Sequence, residues 1–250
     1  MVDRDLVRRL EDVGDATWPA LAGRDAGGWR LRYAAGVTRR SNSATWIGPG
    51  DPVAAVRSAE RWLAERLDVV TFRITPLAGS SLDEALASLG YDRDAGAHTM
   101  TRALGSGADC FSIAPGIAVR PEPDLAWWRT LGATGADRGN PSAMRRLIAA
   151  LQAPTAFASR EVDGVVVAVG MGVVEGEYVA IFNMNTVAAL RRAGHGTAIL
   201  DALLAWGSDH GAVRAFLQVH PDNRGALDLY GGAGFVTQYD YHYRAKPAAG

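Results

Sequence analysis

The residues best suited to chemistry are Arg191-Arg192-Ala193-Gly194-His195-Gly196-Thr197. They follow a run with strand character and open a run with helix character. Glycines let a backbone turn sharply, so that several N–H groups can face one anion. A helix N-terminus adds unpaired N–H groups and the positive end of its dipole. Arg191 and Arg192 add full charge. The combination reads as a pyrophosphate site, set against the plainer reading of an ordinary strand-to-helix turn. Two other phosphate loops do not fit. A Walker loop ends in Gly-Lys-Ser/Thr, which is absent here. A dinucleotide fingerprint needs an acidic residue ~20 positions later at a strand end, whereas Asp209 ends a helical run.

The pattern of apolar, glycine and proline residues predicts the elements that position this loop. Helices are expected over 3–13, 51–67, 81–89, 124–131, 143–151, 196–210 and 223–230. Strands are expected over 29–33, 44–47, 69–74, 91–103, 156–161, 165–174, 178–186, 212–219 and 235–244. Asp51-Pro52 supplies an N-cap and a proline at the first helical position, and Gly90 a helix stop. Asp163-Gly164 and Gly176 mark tight turns. Both halves end alike: a helix, a glycine, an aromatic (Gly90-Tyr91, Gly234-Phe235) and a strand. This points to two related α/β units in tandem: residues 1–104, a linker over 105–116, and residues 117–250.

Bulk properties narrow the function classes. The chain has 250 residues, 48% hydrophobic and 21% charged, enough to bury a real core. A net charge of −1 gives no basic excess for a phosphate backbone, so nucleic acid is not expected as a partner. Cys110 is the single cysteine, which excludes an internal disulfide, and five scattered histidines suggest no metal site. The charged N-terminal segment lacks the apolar centre of a signal peptide, and no run approaches the ~20 apolar residues of a membrane span. A cytoplasmic protein without a membrane partner is expected. The Ala/Gly/Arg bias suggests a high-GC bacterial source.

Arg191-x-x-Gly194-x-Gly196 resembles the Q/R-x-x-G-x-G/A motif of the GCN5-related N-acetyltransferases. Downstream, Leu217-x-Val219-x-x-x-Asn223-x-x-Ala226-x-x-Leu229-Tyr230-x-x-x-Gly234-Phe235 is similar to the family's last strand-and-helix signature. The N-terminal run from Gly28-Trp29 to Asn42-Ser43 is similar to the front end of a bacterial tandem group of these enzymes. That half has no R-x-x-G-x-G loop and resembles a degenerate repeat that walls off the substrate site. The implied fold is α/β: tandem acetyltransferase-like units with a mixed, mostly antiparallel sheet, splayed at its centre and flanked by helices.

The resemblance implies acetyl-CoA as cofactor and direct attack by an amine, with no acyl-enzyme and no need of Cys110. Cofactor binding maps to backbone at Met184, Asn185 and Thr186, to Arg191, Arg192, Gly194, His195, Gly196 and Thr197, and to Asn223, which also suits a helix N-cap. Tyr230 is the candidate general acid, since a phenol of pKa ~10 stays protonated at neutral pH. The base is open: Glu177, beside Glu175, or His220, each with a solvated surface role as the plainer reading. Trp29, Trp46, Trp127 and Trp128 are candidates to line a substrate pocket or to pack between the halves. The expected acceptor is a small-molecule amine, with a protein lysine or N-terminus, or an inactive CoA-responsive module, as alternatives. A homodimer is compatible with all of these.

Overall fold

The computed structural model describes residues 2–105, 113–133 and 140–248. Cys110 and most of the expected linker lie outside the described residues. Among those described, eleven strands form one continuous sheet, with seven helices against it.

The chain opens with α1 (Arg4–Thr17), capped by the Asp3 side chain, which accepts from the N–H groups of Asp5 and Leu6. Then come β1 (Ala22–Ala26), β2 (Trp29–Tyr33), β3 (Ala44–Trp46), α2 (Val56–Ala64), β4 (Val69–Ile74), α3 (Ser80–Ser88) and β5 (Asp92–Ala103). The second half runs β6 (Ile117–Arg120), α4 (Leu125–Ala133), α5 (Pro141–Ala149), β7 (Thr155–Val162), β8 (Val165–Glu175), β9 (Tyr178–Thr186), α6 (His195–Asp209), β10 (Arg214–Val219), α7 (Arg224–Gly232) and β11 (Val236–Pro247).

Two strands were not expected, both at the sheet's edges. β1 is Ala-Gly-Arg-Asp-Ala, polar and largely exposed, and β6 has only four residues. Edge strands gain order from a single partner; β1 carries no apolar pattern, and β6, although Ile117 and Val119 pack on one face, is too short to show a period. The helix expected over 51–67 begins only at Val56. Asp51 closes a local turn instead, its carboxylate accepting from the N–H of Val53 at 2.9 Å, an alternative that Asp offers a backbone in place of helix.

The strand order is β1-β2-β3-β4-β11-β5-β10-β9-β8-β7-β6. The last strands of the two halves are exchanged. β5 lies between β10 and β11, and β11 between β4 and β5. The core is correspondingly shared. One apolar cluster joins Val7, Leu10 and Trp18 to Trp127, Leu147, Phe182 and Tyr239. Burying each such side chain contributes roughly 1.5–3 kcal/mol.

A buried ion pair within the first half is reached by two tyrosines of the second. Both Arg73 guanidinium ends donate to Glu11, the Nη2–Oε1 bond measuring 2.9 Å, and Tyr239 donates to Glu11 at 2.5 Å. Arg73 also lies 3.9 Å from the Tyr241 ring centre. Removing one partner of such a pair strands a buried charge and costs about 3–5 kcal/mol.

Candidate active site

The sheet splits where β9 meets β10. The two run parallel and pair only from Arg214↔Tyr178 to Phe216↔Ala180. Beyond Ala180 they diverge. The cause lies on the other side of β9: Met171 pairs with Phe182 and Val169 with Asn185, so Gly170 alone faces both Asn183 and Met184. Such a bulge bends its strand, and Asn183 takes the left-handed φ of 53° within it. The indole N–H of buried Trp127 donates to the Gly170 carbonyl at 3.2 Å, bracing the bulge from behind. A Cβ at Gly170 would lie 2.6 Å from Ile199 of α6 and 2.7 Å from the Met184 sulfur, so only glycine lets α6 seat there.

The split opens a cavity of about 490 Å³. From the second half it is lined by Ile181–Asn185 of β9, by Gln218 and Val219 of β10 with His220 just beyond it, and by Asn223, Ala226 and Tyr230 around α7. From the first half come Trp18, Thr38, Arg39 and Arg40, with residues 94–97 of β5. Tyr241 and Tyr243 of β11 complete it. Residues of the first half thus line one side of the cavity.

Thr186 is not a lining residue; its carbonyl accepts from Arg191 Nε at 3.3 Å. Directly beyond it, Arg191, Arg192 and Thr197 are exposed, and Gly194 is the N-cap of α6 with φ of 80° and no side-chain cap. The N–H groups of His195, Gly196 and Thr197 therefore face outward unpaired, as the first turn of any helix leaves them. Arg192 is also left-handed, with φ of 63°. Asn223 caps α7, accepting from the N–H of Ala226 at 3.2 Å, and lines the cavity as well. Tyr230 is buried at the cavity wall, and desolvation pushes its phenol up to about 12.

The expected bases are placed less favourably. Glu175 and Glu177 flank the turn at the closed end of the split, where the Glu177 carbonyl accepts from Val213 and Arg214. That is the opposite end of β9 from the cavity. His220 does line the cavity, but its Nδ1 accepts the backbone N–H of Asp222 at 3.1 Å. Taking a proton at Nδ1 would cost the ring that hydrogen bond. Among the described lining residues the one carboxylate is Asp94, which sequence reasoning missed. It pairs with Arg39 at 2.6 Å, and that hydrogen bond holds its carboxyl below the usual range.

The four candidate tryptophans do not line the cavity, though Trp127 packs in the core cluster shared by the two halves. Trp29 and Trp46 pack edge to face in the first half's own core, and Trp127 packs on Phe157. Trp128 stacks under Arg145 at 4.2 Å. Trp18 does line the cavity, and no local pattern distinguished it from its neighbours in α1.

Comparison with known proteins agrees with this geometry. Residues 5–244 match the family described as "Probable histone acetyltransferase Rv0428c C-terminal". The chain is 27% identical over 253 residues to the uncharacterized N-acetyltransferase YobR of Bacillus subtilis, covering 97% of this chain and 99% of that one. In structure it resembles a GCN5-related N-acetyltransferase from Kribbella flavida, with a TM-score of 0.66, 16% identity and coverage of 97% and 96%. A tandem protein of the same fold from the clavulanic acid biosynthesis pathway also gives 0.66, with 15% identity and coverage of 96% and 88%. No helix among the described residues is long and apolar enough to cross a membrane. By motif, by split sheet and by family match, the chain belongs to the Rv0428c C-terminal acetyltransferase family within the GCN5-related N-acetyltransferases, enzymes of the acyl-CoA-dependent transferase class.

Proposed function

We propose that this protein transfers an acetyl group from acetyl-CoA to the amine of a small molecule, by direct attack within a ternary complex. The observation that carries the reading is the split between β9 and β10 beside an uncapped, arginine-flanked helix N-terminus. The residues present fit the cofactor. The free edge of β9 at Asn183–Asn185 offers N–H and C=O groups to an extended amide-bearing arm, much as another strand would. Arg191, Arg192 and the α6 N-terminus suit a pyrophosphate. When bound, acetyl-CoA supplies an activated acyl group and a thiol leaving group.

The chain's own residues do the rest. Tyr230, protonated throughout the neutral range, holds a proton for the departing sulfur. Asp94, ionised and open to water, receives the amine's proton, directly or through one water. Trp18, Phe182, Tyr241 and Tyr243 exclude solvent around the amine. The division into a walling unit (1–104) and a catalytic unit (117–250) belongs to the same proposal. A basic peptide, the acceptor that the family's description suggests, would bring several positive charges against Arg40, which has no paired carboxylate among the described residues. A small amine brings one.

The test is thermal denaturation with acetyl-CoA. At ~100 times its dissociation constant a ligand stabilises by about 2.7 kcal/mol. Wild type is expected to shift upward. Gly194→Glu, which places a carboxylate and a strained backbone at the phosphate loop, is expected not to. No shift for wild type with acetyl-CoA or longer acyl-CoAs would remove the transfer reading.

A further inference from the structure

Three buried or part-buried arginines converge where the two halves meet. Arg32 is matched by Asp15 and Arg73 by Glu11. Arg40 has no carboxylate within ion-pair distance among the described residues. Its Nη1 donates to Gln218, its Nε is sealed from solvent without a partner, and it lies 5.4 Å from the Phe182 ring centre and 5.9 Å from Trp18. Aromatic faces and a neutral amide hold a cation in place but do not neutralise it. Burial accordingly pulls the pKa of Arg40 below the ordinary arginine value.

This placement is built rather than incidental. Arg40 sits in the loop between β2 and β3, which Asn42 staples from inside. The Asn42 Oδ1 accepts from Ala34 at 2.8 Å and Gly36 at 3.1 Å, and its Nδ2 donates to Thr38 at 2.6 Å. Asn140, at the start of α5, ties the same loop down through the Ala35 carbonyl at 3.0 Å. On the other side, Tyr241 donates to Gln218 Oε1 at 3.3 Å. With two donors on that oxygen, the amide is oriented to accept from Arg40. Two elements thus fix a charge for which the described residues supply no paired carboxylate. The unpartnered amide nitrogen of Asn183 adds another donor in the cavity wall. An unsatisfied buried charge is costly, and such a cost retained at a cavity wall marks a ligand-binding group.

We infer that Arg40 is the anion-binding residue of the acceptor site, and that the acceptor is an amine that also carries a carboxylate, an amino acid of small size. The inference rests on the transfer reading for the amine's role, but not for the anion. Arg40 and the free edge of β9 share one cavity, and Phe182, which Arg40 overlies, immediately precedes Asn183. An amine near the Asn183–Asn185 edge thus places a nearby carboxylate at Arg40. Polyamines and other polycations are disfavoured by the same charge.

The experiment is a thermal-shift titration of the full chain without acetyl-CoA, at constant ionic strength. It compares glycine, alanine and β-alanine with their carboxamides. The acids are expected to raise the melting temperature and the amides not. Arg40→Gln is expected to abolish that difference and Arg40→Lys to keep part of it. Arg40→Met, which removes the unmatched charge, is expected to melt higher than wild type without ligand. In an acetyl-transfer assay, the preference for acid over amide in kcat/KM is expected at about 10- to 100-fold, the range for a hydrogen bond to a charged group, and to collapse in Arg40→Gln. Equal shifts from acids and amides, or discrimination surviving in Arg40→Gln, overturns the inference. Should Arg40→Gln not fold, the wild-type comparison and Arg40→Lys decide it. Acids that bind but receive no acetyl group would sink the transfer reading and leave the anion site standing. Transfer to neutral amines as good as to acids would do the reverse.

Discussion

Asp94 and Arg39 face each other at 2.6 Å at the cavity wall, and the pair makes the base testable. Asp94 is held low by the Arg39 hydrogen bond first, aided by the Ala95 N–H and opposed by desolvation. A base acts in its deprotonated form, so activity falls as pH drops through its pKa. Removing Arg39 raises that pKa. Arg39→Ala is therefore expected to move the acid limb of the kcat/KM profile to higher pH. Asp94→Asn is expected to lower kcat by about 10²-fold or more and erase that limb. An acid limb unmoved by Arg39→Ala would exclude Asp94. At this scale the sequence was only partly legible. Arg191, Gly194, Asn223 and Tyr230 stand at motif spacing within one contiguous stretch. Asp94, Arg40 and Trp18 come from a distant part of the chain and become neighbours of that stretch only on folding.

At the level of elements, α3 and β11 are clasped by Asp83. It accepts from Arg244 Nε at 2.7 Å and Nη2 at 3.2 Å, and contacts His242 Nε2 at 2.7 Å. The Arg244 hydrogen bond leads the causes that bring its carboxyl down from 3.8 to about 2. A carboxyl depressed by folding contributes stability that is present above its unfolded pKa and lost as pH falls through the folded value. Asp83→Asn is therefore expected to lower the melting temperature at pH 6. The gap to wild type is expected to close between about pH 4 and pH 2. A gap that persists unchanged at pH 2 would show that the clasp works through packing instead. The helices and inner strands were readable from their periodicity, because each buries one face or both. The edge strands β1 and β6 were not, since half of each is solvated.

For the whole molecule, the exchange of β5 and β11 decides what can fold alone. Without residues 1–104, β10 loses its partner on one side, and β11 loses both β4 and β5. Open sheet edges of that length invite aggregation. Residues 105–250 expressed alone are expected to give no cooperative unfolding transition. Coexpression with 1–104 is expected to restore a soluble complex that responds to acetyl-CoA. A well-folded 105–250 fragment would show that the exchanged strands are dispensable.

Local sequence determined the repeat of helix, glycine, aromatic and strand in each half, the phosphate-type loop and the order of nearly all elements. These depend on contacts within a few residues, where spacing is the physics. Tertiary structure alone decided that the two closing strands change places, that β9 bends from β10 at the Gly170 bulge, and that an arginine from the first half enters the second half's cavity with no paired carboxylate among the described residues. Those outcomes depend on which distant surfaces bury each other, and periodicity records that a face is buried but not against what.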